Sequence, residues 1–179
     1  MVTLIGRYDG FPDIIQAKAS LTYSFPAQKL ASLIVEALEE LNSVSENAPR
    51  DLASRSQSLR CKYEIGVADK LYFNYLDGDE CKRLKKQLTR RSNQVLDFLV
   101  CIFYRTEGKN GKDTALWSDW QYVRFLFKGL DQLEINVHHF KGTRKIPLDV
   151  LIQKFVAYLN ERARKRRLAA LKLIELIGH

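Results

Sequence analysis

The chain lacks the short signatures by which catalysis and cofactor binding are most readily recognised. It contains no GxSxG, HExxH, GxGxxG or GxxxxGK[ST], motifs that place a nucleophile, metal ligands or a phosphate cradle at fixed spacing. No segment approaches the roughly 18 uninterrupted apolar residues of a membrane-spanning helix. The opening MVTLIGRYDGFPD has no basic stretch ahead of an apolar one, which argues against a secretion signal. Cysteine is scarce: Cys61, Cys81 and Cys101 are odd in number and too widely spaced for CxxC motifs. They read as reduced, packing thiols in a cytoplasmic protein. Neither a metal nor a cofactor is expected.

Acid is also in short supply. Against 29 Lys plus Arg there are 21 Asp plus Glu, a formal charge of +8, and clustered positive charge attracts polyanions. The hydrophobic fraction of 46% is enough for a globular core. Aromatic residues run from Tyr8 to Tyr158, a spread that disordered arms lack.

Period-two alternation in VTLIGRY and SLTYSF predicts two strands. Pro26 then opens a helix whose stripe is Leu30, Leu33, Ile34, Ala37, Leu38 and Leu41. The polar segment from 43 to 59, with Pro49 and several serines, predicts a mobile loop. CKYEIGVAD and KLYFNYLD predict a hairpin turning at Ala68–Asp69, with Tyr63, Ile65, Val67, Leu71, Phe73 and Tyr75 inward. A short helix, ECKRLKKQLTRR, follows DGDE. VLDFLVCIFY predicts a central buried strand. WQYVRFLFKG and QLEINVHHF predict a second hairpin, with Leu133, Ile135, Val137 and His139 on one face. Pro147 opens a last helix with the stripe Leu148, Leu151, Ile152, Phe155 and Leu159.

The order ββα-ββα-βββα predicts an α+β fold, an antiparallel sheet built from hairpins with helices on one face and a long C-terminal helix. Residues 1–160 form one domain on this reading. Residues 161–179 form a helical extension, basic and then apolar. The pattern strand, proline, helix occurs twice, in SFPAQKLASLIVEALEELN and KIPLDVLIQKFVAYLNE.

Candidate phosphate-binding residues fall into three basic clusters. They are Lys82, Arg83, Lys85, Lys86, Arg90 and Arg91; Lys141, Arg144 and Lys145; and Arg162, Arg164, Lys165, Arg166 and Arg167. In KGTRKIP, the backbone of Gly142, the hydroxyl of Thr143, Arg144 and the start of a helix predict an anion site. His138 and His139 are adjacent on a strand and point to opposite faces, so they cannot share a metal. His138 shares a polar face with Glu134 and Asn136, which makes His138 and Glu134 the catalytic candidates. Asp77, Asp79 and Glu80 lack the ligand count of an EF-hand loop and fit a helix N-terminus instead.

The tail ERARKRRLAALKLIELIGH joins a cationic block to an aliphatic one. One helix from Pro147 to Ile177 would be about 46 Å long, more than a domain of this size covers. The aliphatic part therefore folds back on its own domain or docks on another protein or copy through Leu168, Leu171, Leu173, Ile174, Leu176 and Ile177. RARKRR also fits a nuclear address if the source is a nucleated cell.

Three functions follow. The first is a homo-oligomeric nucleic-acid-binding or nucleoprotein-assembly protein that contacts DNA or RNA phosphates. The second is an enzyme of nuclease or transferase type acting on a phosphorylated or nucleic-acid substrate, and the third is an adaptor that docks by its tail.

Overall fold

Alternating burial along successive strands builds one wide sheet with a helix-covered face and an open face. A computed structural model describes residues 6–48, 59–90, 95–107 and 113–178. The strands are β1 (Ala17–Thr22), β2 (Ser45–Asn47), β3 (Leu59–Asp69), β4 (Tyr72–Tyr75), β5 (Val95–Glu107), β6 (Asp113–Lys128), β7 (Gln132–Lys141) and β8 (Lys172–Gly178). The helices are α1 (Ala27–Leu41), α2 (Gly78–Leu88) and α3 (Leu148–Lys165). The fold is α+β, with all eight strands in one antiparallel open sheet ordered β2-β3-β5-β6-β7-β1-β8, and β4 pairs with β3.

The covered face takes every second residue. Tyr63 and Ile65 of β3, Phe98 and Ile102 of β5, Phe125 of β6 and Ile135 of β7 are all buried in the core. They lie in one cluster with Leu30, Ile34 and Leu38 of α1 and Leu151, Ile152, Phe155 and Leu159 of α3. Phe155 packs on Phe125 with ring centroids 6.2 Å apart. The helix α1 lies in the middle of the helical layer, in contact with both α2 and α3. Pro26 and Pro147 cap α1 and α3 with nearly the same backbone, φ −59° and −56°, ψ 141° in both. The proline pattern thus marks both helix starts, one residue outside the helix.

The open face is organised around Asp97 and Arg124. Asp97 is fully buried on β5 and receives two hydrogen bonds from Arg124 on β6, at 2.7 and 2.8 Å. Its second oxygen also accepts the Tyr8 backbone N–H at 2.8 Å. This pins the segment before β1 across the sheet. Tyr8 and Phe11 then pack around Tyr122, which also stacks on Phe140 at 4.3 Å, with Arg124 over the Phe11 ring.

The structure differs from the sequence reading at four places. Of the strand expected in VTLIGRY, residues 1–5 lie outside the described residues, and Tyr8 contributes only an isolated bridge to Lys70. Within the loop expected over 43–59, Ser45–Asn47 form the edge strand β2, and 49–58 lie outside the described residues.

The first hairpin turns at Lys70–Leu71, two residues later than expected, with Lys70 at φ 60°. Asp69 then pairs Tyr72 and Ala68 pairs Phe73, so odd residues of β3 meet even residues of β4. Leu71, Phe73 and Tyr75 consequently do not join Tyr63, Ile65 and Val67. Leu71 is 66% exposed in the turn, Tyr75 is exposed, and Phe73 packs on Tyr8 and Tyr122. Any turn of two adjacent residues pairs odd with even positions, so these three could not share a face with Tyr63, Ile65 and Val67 even with the turn at Ala68–Asp69.

The long C-terminal helix stops at Lys165. Arg167 adopts φ 57°, the Leu168 N–H bonds Ala163 O at 2.8 Å, and the Arg167 N–H bonds Arg164 O at 3.0 Å. These are the paired bonds of a Schellman stop. Asn160 then holds the returning chain by accepting the Leu171 N–H at 2.8 Å. Lys172–Gly178 become β8, antiparallel to β1. The tail is a strand rather than a helix because a sheet edge offers it backbone partners that an isolated helix end lacks.

Replacing Asp97 by Asn should lower stability by about 3 kcal/mol, because it leaves the guanidinium of Arg124 without its counter-charge. Urea unfolding would show a lower midpoint at unchanged slope, and a loss under about 1 kcal/mol would mean that Asp97 is not the organiser of the open face.

Candidate nucleic-acid interface

Two of the three basic clusters meet. The helix α1 runs antiparallel to both neighbours, since Glu40 faces Arg162 and Glu36 faces Arg166 on α3, while Glu36 faces Lys85 and Glu39 faces Cys81 on α2. The C-terminal ends of α2 and α3 therefore flank the N-terminal half of α1. Between them lies a cleft of about 630 Å³ lined by Lys29, Lys85, Lys86 and Arg166 over Leu33, Leu88 and Leu168. Glu36 is the one acid in the lining. It is buried, and its Oε1 takes both Lys85, at 2.6 Å, and Arg166.

Other cations near the cleft are committed more locally. Arg162 donates to Glu40 at 2.8 Å, with Lys165 at 4.0 Å. Arg164 pairs with Glu161 at 2.5 Å. Arg83 pairs with Glu80 in the first turn of α2. Lys82, Lys86, Arg90, Arg164, Lys165, Arg166 and Arg167 all present exposed side chains at this end. Arg91 lies outside the described residues.

The third cluster stands elsewhere. Lys141, Arg144 and Lys145 precede α3, and the 18 residues of that helix separate them from Arg166 by about 27 Å. Lys141 lies over the Trp120 ring and Lys145 over that of Trp117. The anion facing the KGTRK loop is internal. Asp119, 2% exposed on β6, accepts the backbone N–H groups of Arg144 and Lys145 at 2.8 and 2.9 Å. It also takes the Tyr104 hydroxyl at 2.9 Å and faces His139 Nε2 at 3.3 Å. Burial first, and Asp119 second, push the Tyr104 hydroxyl above its ordinary range, which keeps it a donor. Gly142 lies against this carboxylate at φ 106°, and Thr143 is exposed. The loop amides that suggest a ligand site thus serve a carboxylate of the same chain.

His138 and Glu134 share a face of β7 but sit four residues apart, about 14 Å along the strand. Glu134 is buried among Lys18, Lys128 and Asn136. Burial pushes its carboxyl up, but the hydrogen bonds from Lys128, Asn136 and Lys18 outweigh that and hold it below the usual carboxylate range. His138 Nδ1 lies 2.7 Å from Ile14 O, which ties it to the segment before β1. The two side chains do not converge on one reacting atom. Asp77 caps α2 by accepting the Glu80 N–H at 2.8 Å, with Asp79 and Glu80 in the first turn. Among the described residues no three His, Cys, Asp or Glu side chains are grouped to hold a metal. All three thiols are buried. Burial, aided by Glu39 and Glu64 respectively, pushes Cys81 and Cys101 up to about 12, so neither supplies a thiolate at neutral pH.

Sequence reasoning missed the acidic centres, Asp119, Glu36 and Glu40. Glu36 alone carries a signal, a single acid inside the apolar run LIVEAL, where a buried carboxylate demands partners. Comparison of the chain with known protein families, curated proteins and solved structures finds no match.

A Cβ at residue 142 would overlap Asp119 Oδ1 and Ser118 O on a backbone that disfavours any side chain. Gly142→Ala should therefore cost about 2–4 kcal/mol, read as a fall in thermal midpoint. A variant as stable as the parent would show that the loop is not clamped on Asp119.

Proposed function

We propose that the protein binds nucleic acid through its phosphates, at the patch formed where the C-terminal ends of α2 and α3 flank α1. One observation carries this reading. Lys85 and Lys86 are some 80 residues from Arg166 in the chain, yet they line one concave surface with Lys29. Cations that only solubilise a helix need no such convergence. A clustered positive surface gains affinity by releasing counterions from a phosphate backbone.

The expected signature is steep salt dependence. With labelled single- and double-stranded DNA and RNA, log K should fall linearly with log salt. Lys86→Glu combined with Arg164→Glu should weaken every strand and reduce the slope by about 2. Lys141→Glu combined with Lys145→Glu should leave the slope unchanged. Absence of strand binding at low salt would overturn the proposal.

A second reading, assembly through the tail, is favoured by a different observation. One side edge of the sheet is protected by the three-residue polar strand β2 and by the short β4. The other edge is β8, where Leu173, Ile174 and Ile177 are 43, 63 and 47% exposed. An open apolar edge pairs readily with another strand. Leu168 and Leu171 are instead turned toward the chain's own core, and Leu176 is partly buried against it. On this reading the protein is a homo-oligomer joined at β8. Light scattering should give more than one copy per particle, and Ile174→Lys should give the monomer. A monomeric parent protein at all concentrations would remove this reading.

A further inference from the structure

We infer that the cleft between α1, α2 and the last turn of α3 is a nucleotide site, taking a phosphorylated nucleoside either free or as the phosphate-bearing end of a strand. The inference rests on the reading of this patch as phosphate-binding and specifies what occupies its concave part. At about 630 Å³, the cleft falls within the range of small-ligand sites.

Its charge is unbalanced. Four cations, Lys29, Lys85, Lys86 and Arg166, line it against the single acid Glu36. Lys85 and Arg166 are both held by one oxygen of that acid, which fixes where their charges stand. Neither Lys29 nor Lys86 forms an ion pair among the described residues. Cations at the ends of α2 and α3 compensate the negative ends of those helix dipoles. That explanation fails for Lys29, which sits in the first turn of α1. This turn has no acidic residue and no side-chain cap, so Lys29 adds positive charge to an already positive helix end. An anion in the cleft removes that conflict.

The remaining lining calls for more than a phosphate. Leu168 is partly exposed in the cleft above the buried Leu33 and Leu88, an apolar floor that can take the face of a base. The exposed amide of Gln28 supplies both a donor and an acceptor, the pair that reads a base edge. Ser32, one helical turn from Gln28 on α1 and also in the lining, adds a hydroxyl that a sugar can use.

Titration calorimetry of the full chain tests this with inorganic phosphate, a nucleoside, its 5′-monophosphate, and one oligonucleotide with and without a 5′-phosphate. The monophosphate should bind at least about ten-fold more tightly than either inorganic phosphate or the nucleoside. Lys86→Gln should weaken it by about ten-fold, while Gln28→Ala should weaken the monophosphate and leave inorganic phosphate unchanged. Both side chains are exposed and make no hydrogen bond or ion pair among the described residues, and the Lys86 carbonyl that accepts the Thr89 hydroxyl is kept in the variant, so folding is spared. Equal affinity for the monophosphate and the oligonucleotide identifies a free nucleotide as the ligand. Tighter binding of the 5′-phosphorylated oligonucleotide alone identifies a strand end. If the oligonucleotides bind equally with and without the phosphate and the monophosphate does not bind, the nucleotide site is overturned while phosphate-backbone binding stands. If no polyanion binds, both fall. Inorganic phosphate binding as tightly as the monophosphate also overturns the inference, because the apolar floor and Gln28 then contribute nothing.

Discussion

The architecture depends on a buried carboxylate with donors on both of its oxygens. Asp119 receives a hydroxyl from β5 and two backbone amides from the loop before α3, and it faces an imidazole on β7. A carboxylate this deep is tolerated only when donors replace the water it has lost. Because those donors come from separate elements, their arrangement is fixed by one side chain. The consequence reaches the far end of the molecule. The carboxylate sets where α3 begins, and a helix is a rigid rod of 1.5 Å per residue. Asp119 therefore also determines where Arg162–Arg167 are delivered, and so which cations face α1.

At that far end the same logic runs with solvent at hand. Glu36 and Glu40 of α1 each meet cations from a neighbouring helix. These acids join the helices and orient the cations without cancelling them, because Lys29 and Lys86 add to the same surface. Asp97 gives the open face a comparable centre through Arg124 and Tyr8. In a chain that is basic overall, the cations of α2 and α3 are thus placed by Asp119, Glu36 and Glu40. The charge surplus in the composition becomes a local surface only through them.

How much of this was legible in the sequence differs by element. The stripes of α1 and α3, the hairpin of β6 and β7, and the alternation that buries Leu133, Ile135 and Val137 could be read directly, because periodicity is local and survives any tertiary arrangement. The turn at Lys70–Leu71 was misplaced because a left-handed lysine does not announce itself as Gly or Asn would. The end of α3 was missed for the same reason, Arg167 standing where a glycine is usual.

The tail shows the division most clearly. By itself, the sequence determined that LAALKLIELI is largely apolar and that cations crowd just before it. Only the tertiary structure decided that this segment is a strand, since the hydrogen bonds that make β8 come from β1, some 150 residues earlier in the chain. The same holds for the basic clusters. Composition determined that the protein carries a surplus of positive charge, whereas the antiparallel packing of α1 against α2 and α3 decided which two clusters share a cleft and which stands apart. Charge is a property of residues, but a binding surface depends on distances between them, and those distances are set by contacts remote in sequence.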